Sequence, residues 1–343
     1  SIVERSNVVD LTPIVRKLVL VTGAAGSIGS ELARQIAAYE PTRLVLLDCN
    51  ESDLHDMHID LRSRYPQLEI TPVLADITQR TELVAVFEQF KPQIVFHCAA
   101  YKHVPMLERY PQKAIQANVF GTKNLAELAS QFQVERFVMI STDKAIDPSS
   151  VMGASKRVCE LIIHHLQSES KTRFGAVRFG NVLGSRGSVV PMFSRQIDAG
   201  GPVTITDPNM TRFFMTIPEA VNLVIHAACL TQGGELFVLN MGEEVRIVKL
   251  AERMIRLRGL RPYTDIPIEF IGIRPGEKLH EALYMEYEEA VPTIHPQILR
   301  VKHWKSDVST DFWAEIRNLT DTQDPEEIRK QLQNLVRLQT SLP

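Results

Sequence analysis

Apolar runs and amphipathic stretches alternate through the first half of the chain. Lys17–Val21, Arg43–Leu47, Glu69–Leu74, Gln93–His97, Arg136–Ser141 and Phe174–Phe179 read as short strands, most of them nearly continuous in apolar residues. Between them, apolar positions recur every three or four residues. Ile28, Leu32, Ile36 and Ala37 share one helical face, and Glu51–Tyr65, Thr81–Phe90, Gln112–Ser130 and Met152–Ser168 follow as further helices. Buried strands that alternate with helices predict an α/β fold built on a doubly wound parallel sheet.

The period breaks after Asn181. Gly and Pro become frequent in GSRGSVVPMF and AGGPVTITDP, and the elements shorten. The expected divisions are a lead-in over 1–16, a sheet domain over 17–181, a smaller mixed α/β lobe over 182–302 and a helical tail over 303–343. In the tail, DFWAEIRNL and PEEIRKQLQNLVRL form an amphipathic pair, read as a packing or contact element with a solvated charged face.

Composition narrows the function classes. The 343 residues are 44% hydrophobic, enough for a large core. Basic and acidic residues number 38 and 41, and the formal net charge of −3 leaves no basic excess for nucleic acid. Cys49, Cys98, Cys159 and Cys229 are scattered, with neither disulfide nor metal spacing, which points to a reducing compartment and no metal site. There is no bilayer-length apolar run and no signal peptide, so the expected location is cytoplasmic.

Two stretches carry chemistry. Gly23, Gly26 and Gly29 stand between the first strand and its helix, with Ser27 and Ile28 in the same turn. Glycines let backbone approach a pyrophosphate, and the helix start offers free N–H groups to it. Asp48 ends the next strand about 20 residues on, as a dinucleotide fingerprint requires. It can accept from ribose hydroxyls and repel a 2′-phosphate, with Asn50 close behind and no Lys or Arg before Arg62; NAD is favoured over NADP. Asp76 and Ile77 close the third strand, where an adenine could be held, although a helix-capping Asp is an equally good reading of Asp76. Ala99 and Ala100 close the fourth with small side chains against which a cofactor can lie. Asn118 falls within a helix, where an amide is a poor helix former; a surface position and a role in holding the neighbouring loop both remain open.

The second stretch is STDKAIDPSSVMGASK, Ser141–Lys156. Thr142, Asp143 and Lys144 end a strand, at the side of an open sheet where ligands bind. Met152 and Lys156 are four apart and share a helix face. A capped helix with solvated charges is the plainer reading of these residues taken alone.

Together VTGAAGSIGSEL, HCAAYKHVP, QANVFGT and STDKA…MGASK resemble the extended short-chain dehydrogenase/reductase superfamily, with its Rossmann-type sheet. FGNVLGSRGSVVPMF, GPVTITDPNMTRFFMTIPEA and IRPGEKLHEALY resemble, more closely, the bacterial nucleotide-sugar 4,6-dehydratases of polysaccharide assembly. The resemblance implies conversion of UDP-N-acetylglucosamine to a UDP-4-keto-6-deoxy sugar with a retained NAD, and a homodimer or larger homo-oligomer paired through Gln112–Ser130 and Met152–Ser168. Met152 stands where the superfamily usually has Tyr, and a thioether neither takes nor gives a proton. That departure is similar to a branch with a membrane anchor ahead of a cytoplasmic catalytic part. VERSNVVDLTPI resembles the linker there, so any membrane link is expected through an anchor absent from this chain, which starts at Ser1.

The resemblance also implies roles. Asp143 matches the acid at sugar C6 and Lys144 the base at C5; Thr142 is the nearest hydroxyl for C4; Lys156 holds the nicotinamide ribose. Arg212 and Arg274 match positions for the diphosphate and uridine ribose, and Glu277 could accept from a ribose hydroxyl. Asn181, Val190 and Thr204 match substrate-lining positions, with Lys102 in reach of sugar or phosphate. The competing readings are a UDP-sugar 4-epimerase, which needs no acid–base pair for C5–C6, and a non-catalytic NAD-binding assembly protein.

Overall fold

The computed structural model describes residues 9–285, 288–302, 312–319 and 324–338. The parts of the lead-in and tail read at 1–8, 303–311, 320–323 and 339–343 lie outside the described residues. The strands of the central sheet are β1 Leu18–Thr22, β2 Arg43–Asp48, β3 Ile70–Leu74, β4 Ile94–His97, β5 Arg136–Thr142, β6 Arg173–Phe179, β7 Glu235–Leu239, β8 Ala290–Pro292 and β9 Ile298–Val301. Among the described residues they form one sheet in the order β8-β9-β7-β6-β5-β4-β1-β2-β3. Pairing is parallel from β3 through β7, while β9 runs antiparallel to β7 and β8. The strand order reverses between β1 and β4, which opens a crevice at their carboxyl ends.

Successive side chains of a strand point to opposite faces. In β1, Val19 and Val21 join one core with Leu32 and Ile36, and Leu20 joins the other with Phe87 and Ile162. The first face carries α1 Ser27–Ala37, α2 Glu51–Arg64 and α8 Ile217–Leu230; the second carries α3 Arg80–Phe90, α5 Gly121–Gln131 and α6 Val151–Gln167. A short helix, α4 Val104–Arg109, follows β4. Val9 and Ile14 of the lead-in are buried in the first core, so those residues pack rather than merely link.

Residues after Asn181 do not form one uninterrupted lobe. α7 Val189–Asp198 and α9 Ile247–Leu257 enclose a separate small core around Phe193, Ile205 and Ile255, but α8, β7, β8 and β9 return to the large sheet. Periodicity shows an element and not which sheet it joins, which is why the sequence suggested a single block.

The helix expected over 112–130 is also divided. Ala114–Phe120 winds as a π-helix before α5 begins. Such turns recur at functional sites, and this one contains Asn118. A regular period of 3.6 cannot reveal it.

α6 is buried at fourteen of its seventeen residues. The sheet covers one side. The tail helices α10 Phe312–Asn318 and α11 Pro325–Leu338 cover another, placing Phe312, Ile316, Ile328 and Leu332 in the same core as Val158 and Ile162. His165 meets Phe312 and Trp313 at ring distances of 5.7 and 5.2 Å, and the Lys123 ammonium of α5 lies 5.3 Å from the Trp313 ring. The faces expected to pair between copies are thus occupied in part by this chain's own tail. No helix among the described residues is long and apolar enough to cross a membrane.

A buried ionic cluster pins α6 to β6. Arg178 donates to both oxygens of Glu160, at 2.7 and 2.8 Å, and to Glu288 at 2.7 Å. Arg157 bonds the same two glutamates, and Ser141 donates to Glu160 at 2.6 Å. Burial alone would raise the Glu160 carboxyl, but the neighbouring Arg178 and Arg157 overcome it and hold it below the usual range.

Candidate functional site

The crevice at the sheet's switch point is lined by the glycine turn. Gly23 has φ +64°, and a Cβ there would lie 2.6 Å from the Ala99 nitrogen; at Gly29 it would lie 2.1 Å from the Gly23 carbonyl oxygen. The turn is therefore pressed onto the end of β4 and onto itself, with no room for side chains. α1 begins at Ser27 with Gly26 as its cap, leaving its first N–H groups toward the crevice. Asp48 is held by two backbone donors: Ala25 N–H to Oδ2 and Asn50 N–H to Oδ1, both at 2.9 Å. This cradle fits a dinucleotide, with backbone for the pyrophosphate and a fixed carboxylate for the ribose.

Two joined cavities make up the cleft, sharing Gly23, Gly26, Cys98, Ala100 and Tyr101. The outer one, about 310 Å³, is bounded by Asp48, Asp76, Ile77 and Ala99. The inner one, about 500 Å³, is bounded by Ser27, Ile28, Gly29, Lys102, Thr142, Lys144, Met152, Lys156 and Asn181. Burial pushes the Cys98 thiol up to about 12, making it a wall and not a nucleophile. Beneath, His97 bonds Thr22 and Thr122 at 2.8 and 2.9 Å, and burial, with Lys156 nearby, lowers it to about 3 and keeps it neutral.

Two residues expected at the cofactor, Asn50 and Asn118, line neither cavity. Asn50 caps α2, accepting from Asp53 N–H at 3.2 Å. Asn118 is fully buried, accepts from Tyr101 N–H at 2.8 Å, and donates to the Tyr101 carbonyl at 3.0 Å and to Ser155 at 2.9 Å. It holds the loop after β4 to α6 and does not line either cavity. Asp76 lines the outer cavity and accepts from Thr78 N–H at 2.8 Å in a turn ahead of α3, whose cap is Gln79, so Asp76 does not cap that helix.

The strand β5 delivers Thr142 to the cleft and a single 3-10 turn, Asp143–Ala145, follows. Thr142 Oγ1 donates to Asp143 Oδ1 at 2.9 Å, and Lys144 Nζ donates to the same oxygen at 2.9 Å and to Asn181 Oδ1 at 3.4 Å. Asp143 is fully buried and its Oδ2 has no hydrogen-bond partner. Gly180 makes room for it, since a Cβ there would stand 3.1 Å from Oδ2. Ser150 caps α6 by accepting from Gly153 N–H at 3.1 Å, and Gly153 lets the helix start touch the Lys144 carbonyl. Met152 and Lys156, 4% and 6% exposed, face the cavity from this first stretch of helix. The site thus combines a buried carboxyl, an amine bonded to it, a hydroxyl and a second amine.

The substrate-side residues are less gathered. Arg212 is buried, and its guanidinium donates to the carbonyls of Thr211, Lys278 and Leu279 at 2.6, 2.9 and 3.1 Å. Arg274 and Glu277 share a tight turn, Glu277 N–H to the Arg274 carbonyl at 3.1 Å, with Arg274 exposed. Thr204 is tied to Gln196 at 2.8 Å, and Val190 is half-buried in α7. None of these five lines the two cavities.

Two residues escaped the sequence reading. Arg186 reaches from the loop after β6 to Asp53 and the Ala25 carbonyl, while its own N–H donates to Ser27 at 3.2 Å and its carbonyl accepts from Lys102 at 2.9 Å. Its flanking Gly184 and Gly187, at φ +78° and +69°, were the available signal. Burial and this neighbouring guanidinium lower Lys102 from its ordinary range. Glu281 lies beside Lys144; it falls within IRPGEKLHEALY, and that run was the available signal, although the resemblance singles out only Arg274 and Glu277 there.

The pattern of the family described as "Polysaccharide biosynthesis protein" matches residues 19–303. The chain is 52% identical to the capsular polysaccharide biosynthesis protein CapD of Staphylococcus aureus, over 88% of this chain and 50% of that protein, so it spans about half of that relative's length. It is 35% identical to a UDP-glucose 4-epimerase of Rickettsia canadensis, over 78% of each chain. It is 32% identical to the UDP-N-acetylglucosamine 4,6-dehydratase (inverting) of Campylobacter jejuni, over 78% of this chain and 77% of that one. Among solved structures, Pen from Bacillus thuringiensis aligns with a TM-score of 0.78 at 33% identity, covering 84% of this chain and 90% of that one. The dTDP-glucose 4,6-dehydratase DesIV of Streptomyces venezuelae, solved with NAD, shares the fold at a TM-score of 0.67 and 21% identity, over 76% and 86% of the two chains.

Proposed function

The chain belongs to the polysaccharide biosynthesis protein family, and on that premise we propose that it is an NAD-dependent UDP-N-acetylglucosamine 4,6-dehydratase. The observation that carries this reading is the hydrogen-bonded Thr142–Asp143–Lys144 group, opening on the cleft beside Met152 and Lys156. The similar Campylobacter dehydratase and the NAD in DesIV support it.

NAD, when bound, supplies hydride removal at sugar C4 and hydride return at C6. The glycine turn and Asp48 would hold its pyrophosphate and adenine ribose, and Lys156 its nicotinamide ribose. Oxidation at C4 acidifies the C5 proton. Lys144 then takes that proton, and Asp143 gives one to the C6 hydroxyl, which leaves as water. For this the proton of the Lys144–Asp143 bond must rest on Asp143 before elimination, and their 2.9 Å separation allows the transfer. Thr142 is the relay for the C4 hydroxyl proton, which passes on to water because Asp143 already carries the proton it gives to C6. Met152 is a wall. Arg212 and Arg274 would bind the diphosphate and uridine ribose, and Glu277 would accept from a ribose hydroxyl. Self-association through α5 and α6 requires the tail helix α11 to yield part of the α6 face.

A 4-epimerase is the second reading, supported by the Rickettsia relative. It has no use for an acid paired with a base at C5–C6, whereas Asp143 and Lys144 stand bonded in the cleft. Incubation with UDP-N-acetylglucosamine and mass spectrometry separates the two readings. Loss of one water is expected, and an unchanged mass with an inverted sugar would replace dehydration by epimerisation. Bound cofactor should be NAD, and release of mostly NADP by acid would overturn that assignment.

A further inference from the structure

Glu281 has no part in the reading above, yet it stands beside the group on which elimination depends. It is 6% exposed, with Oε1 3.7 Å from Lys144 Nζ and Oε2 buried without a hydrogen-bond partner. Asp143 mirrors it, with Oδ1 2.9 Å from the same amine and Oδ2 likewise unpartnered. The Lys144 amine therefore lies between two buried carboxyls, each with one oxygen unmatched. A fully charged carboxylate is acceptor-only and costly to leave unmatched when buried, whereas a protonated one needs less.

The charged groups facing Glu281 come from three places. Asp143 and Lys144 lie on the turn after β5, Arg212 on the strand Thr211–Arg212, and Lys278 on its own loop. Arg212 spends its donors on three carbonyls, and Lys278 donates to the Ile146 carbonyl at 2.7 Å. Burial raises the Glu281 carboxyl, Lys144 opposes that, and Asp143 adds to it; the net direction is upward.

We propose that Glu281 is a positioning residue that works uncharged, leaving Lys144 free to pass its proton to Asp143. The inference rests on the elimination reading. Before elimination an N–H bond of Lys144 breaks and an O–H bond forms on Asp143, while the nitrogen keeps the electron pair that later takes the C5 proton. An anion 3.7 Å from Nζ would hold that proton in place. A neutral carboxyl does not.

Two measurements on the whole chain without substrate test this, using Glu281→Gln, which keeps size and removes the charge. The first is thermal stability against pH. A carboxyl raised on folding makes the folded chain bind more protons, so wild-type stability falls as pH climbs from the ordinary value of 4.5 through the folded one. The variant escapes that loss, and its Tm advantage should grow with pH across the window. A parallel curve, or an advantage to wild type that grows with pH, overturns the proposal. The second is acylation of Lys144 by acetic anhydride at pH 7, read by mass spectrometry. Wild type and Glu281→Gln should agree within about twofold. If an anion were holding the proton, its removal would free more of the amine and speed acylation about tenfold, and any rise above twofold overturns the proposal. If both measurements succeed while the wild type never removes water from UDP-N-acetylglucosamine, the elimination reading fails and the uncharged Glu281 stands.

Discussion

The glycine turn that lines the cleft and Arg212, which lines neither of its cavities, are built in different ways. The turn is backbone pressed on backbone, and Asp48 is fixed by two main-chain donors. Arg212 is a flexible side chain whose donors are taken by carbonyls of a loop that also carries Arg274 and Glu277. The first is shaped before any ligand arrives. On the proposed reading, the second exchanges some of its own hydrogen bonds for those of a diphosphate. The proposed function, with a retained cofactor and an exchangeable substrate, would call for this asymmetry. The Thr142–Lys144 turn is held at Thr142 by the end of β5 and opens on the cleft at Lys144.

The largest effect should come from that turn. Asp143→Asn and Lys144→Ala should each lower turnover by ~10²–10⁴-fold, about 3–5 kcal/mol of barrier. C4 oxidation and its NADH absorbance can survive in both while water loss does not. Met152→Ala should bind NAD and keep much of its rate; if it were as inactive as Lys144→Ala with cofactor in place, the roles assigned to these side chains would be wrong. Glu160→Gln tests the support beneath. Removing one charge of a buried, bonded pair costs about 3–5 kcal/mol, to be read as a lower denaturation midpoint with unchanged slope.

The next effect belongs to the glycine turn. Gly29→Ala forces a Cβ to 2.1 Å from a backbone oxygen unless the turn shifts. A destabilisation of about 1–3 kcal/mol and protein purified without NAD are expected, and a stoichiometric complement of NAD would show the turn to be softer than its geometry. The smallest effect belongs to Arg212. Arg212→Lys keeps the charge and loses the fork, so KM for the UDP-sugar should rise about tenfold, near 1.4 kcal/mol, with NAD content unchanged. Loss of NAD in that variant would erase the contrast between the two.

What the sequence revealed follows the same divide. Strand, glycine turn, helix and Asp48 lie within a few tens of residues and obey local rules, so β1 and β2 could be read within about a residue and α1 contains the face read for it. Thr142, Asp143, Lys144, Met152 and Lys156 also lie on one short stretch, which the fold keeps together in the inner cavity apart from Asp143, buried just behind it. Arg186 and Glu281 approach Ala25 and Lys144 from more than a hundred residues away, and no local pattern encodes that return. For Asn118 the sequence leaves a surface position and a loop-holding role open, and its buried amide holds the Tyr101 backbone. The burial of α6 under the tail was equally hidden, because amphipathicity shows that a face needs a partner without naming it.

That covering has a consequence for how the chain is made. The ribosome completes α6 roughly 170 residues before it completes α11. At ~5–20 residues per second, the apolar side chains around Val158 and Ile162 wait roughly 10–30 s for their cover. During synthesis this helix is therefore the stretch most open to a chaperone, or to the matching helix of a neighbouring nascent chain.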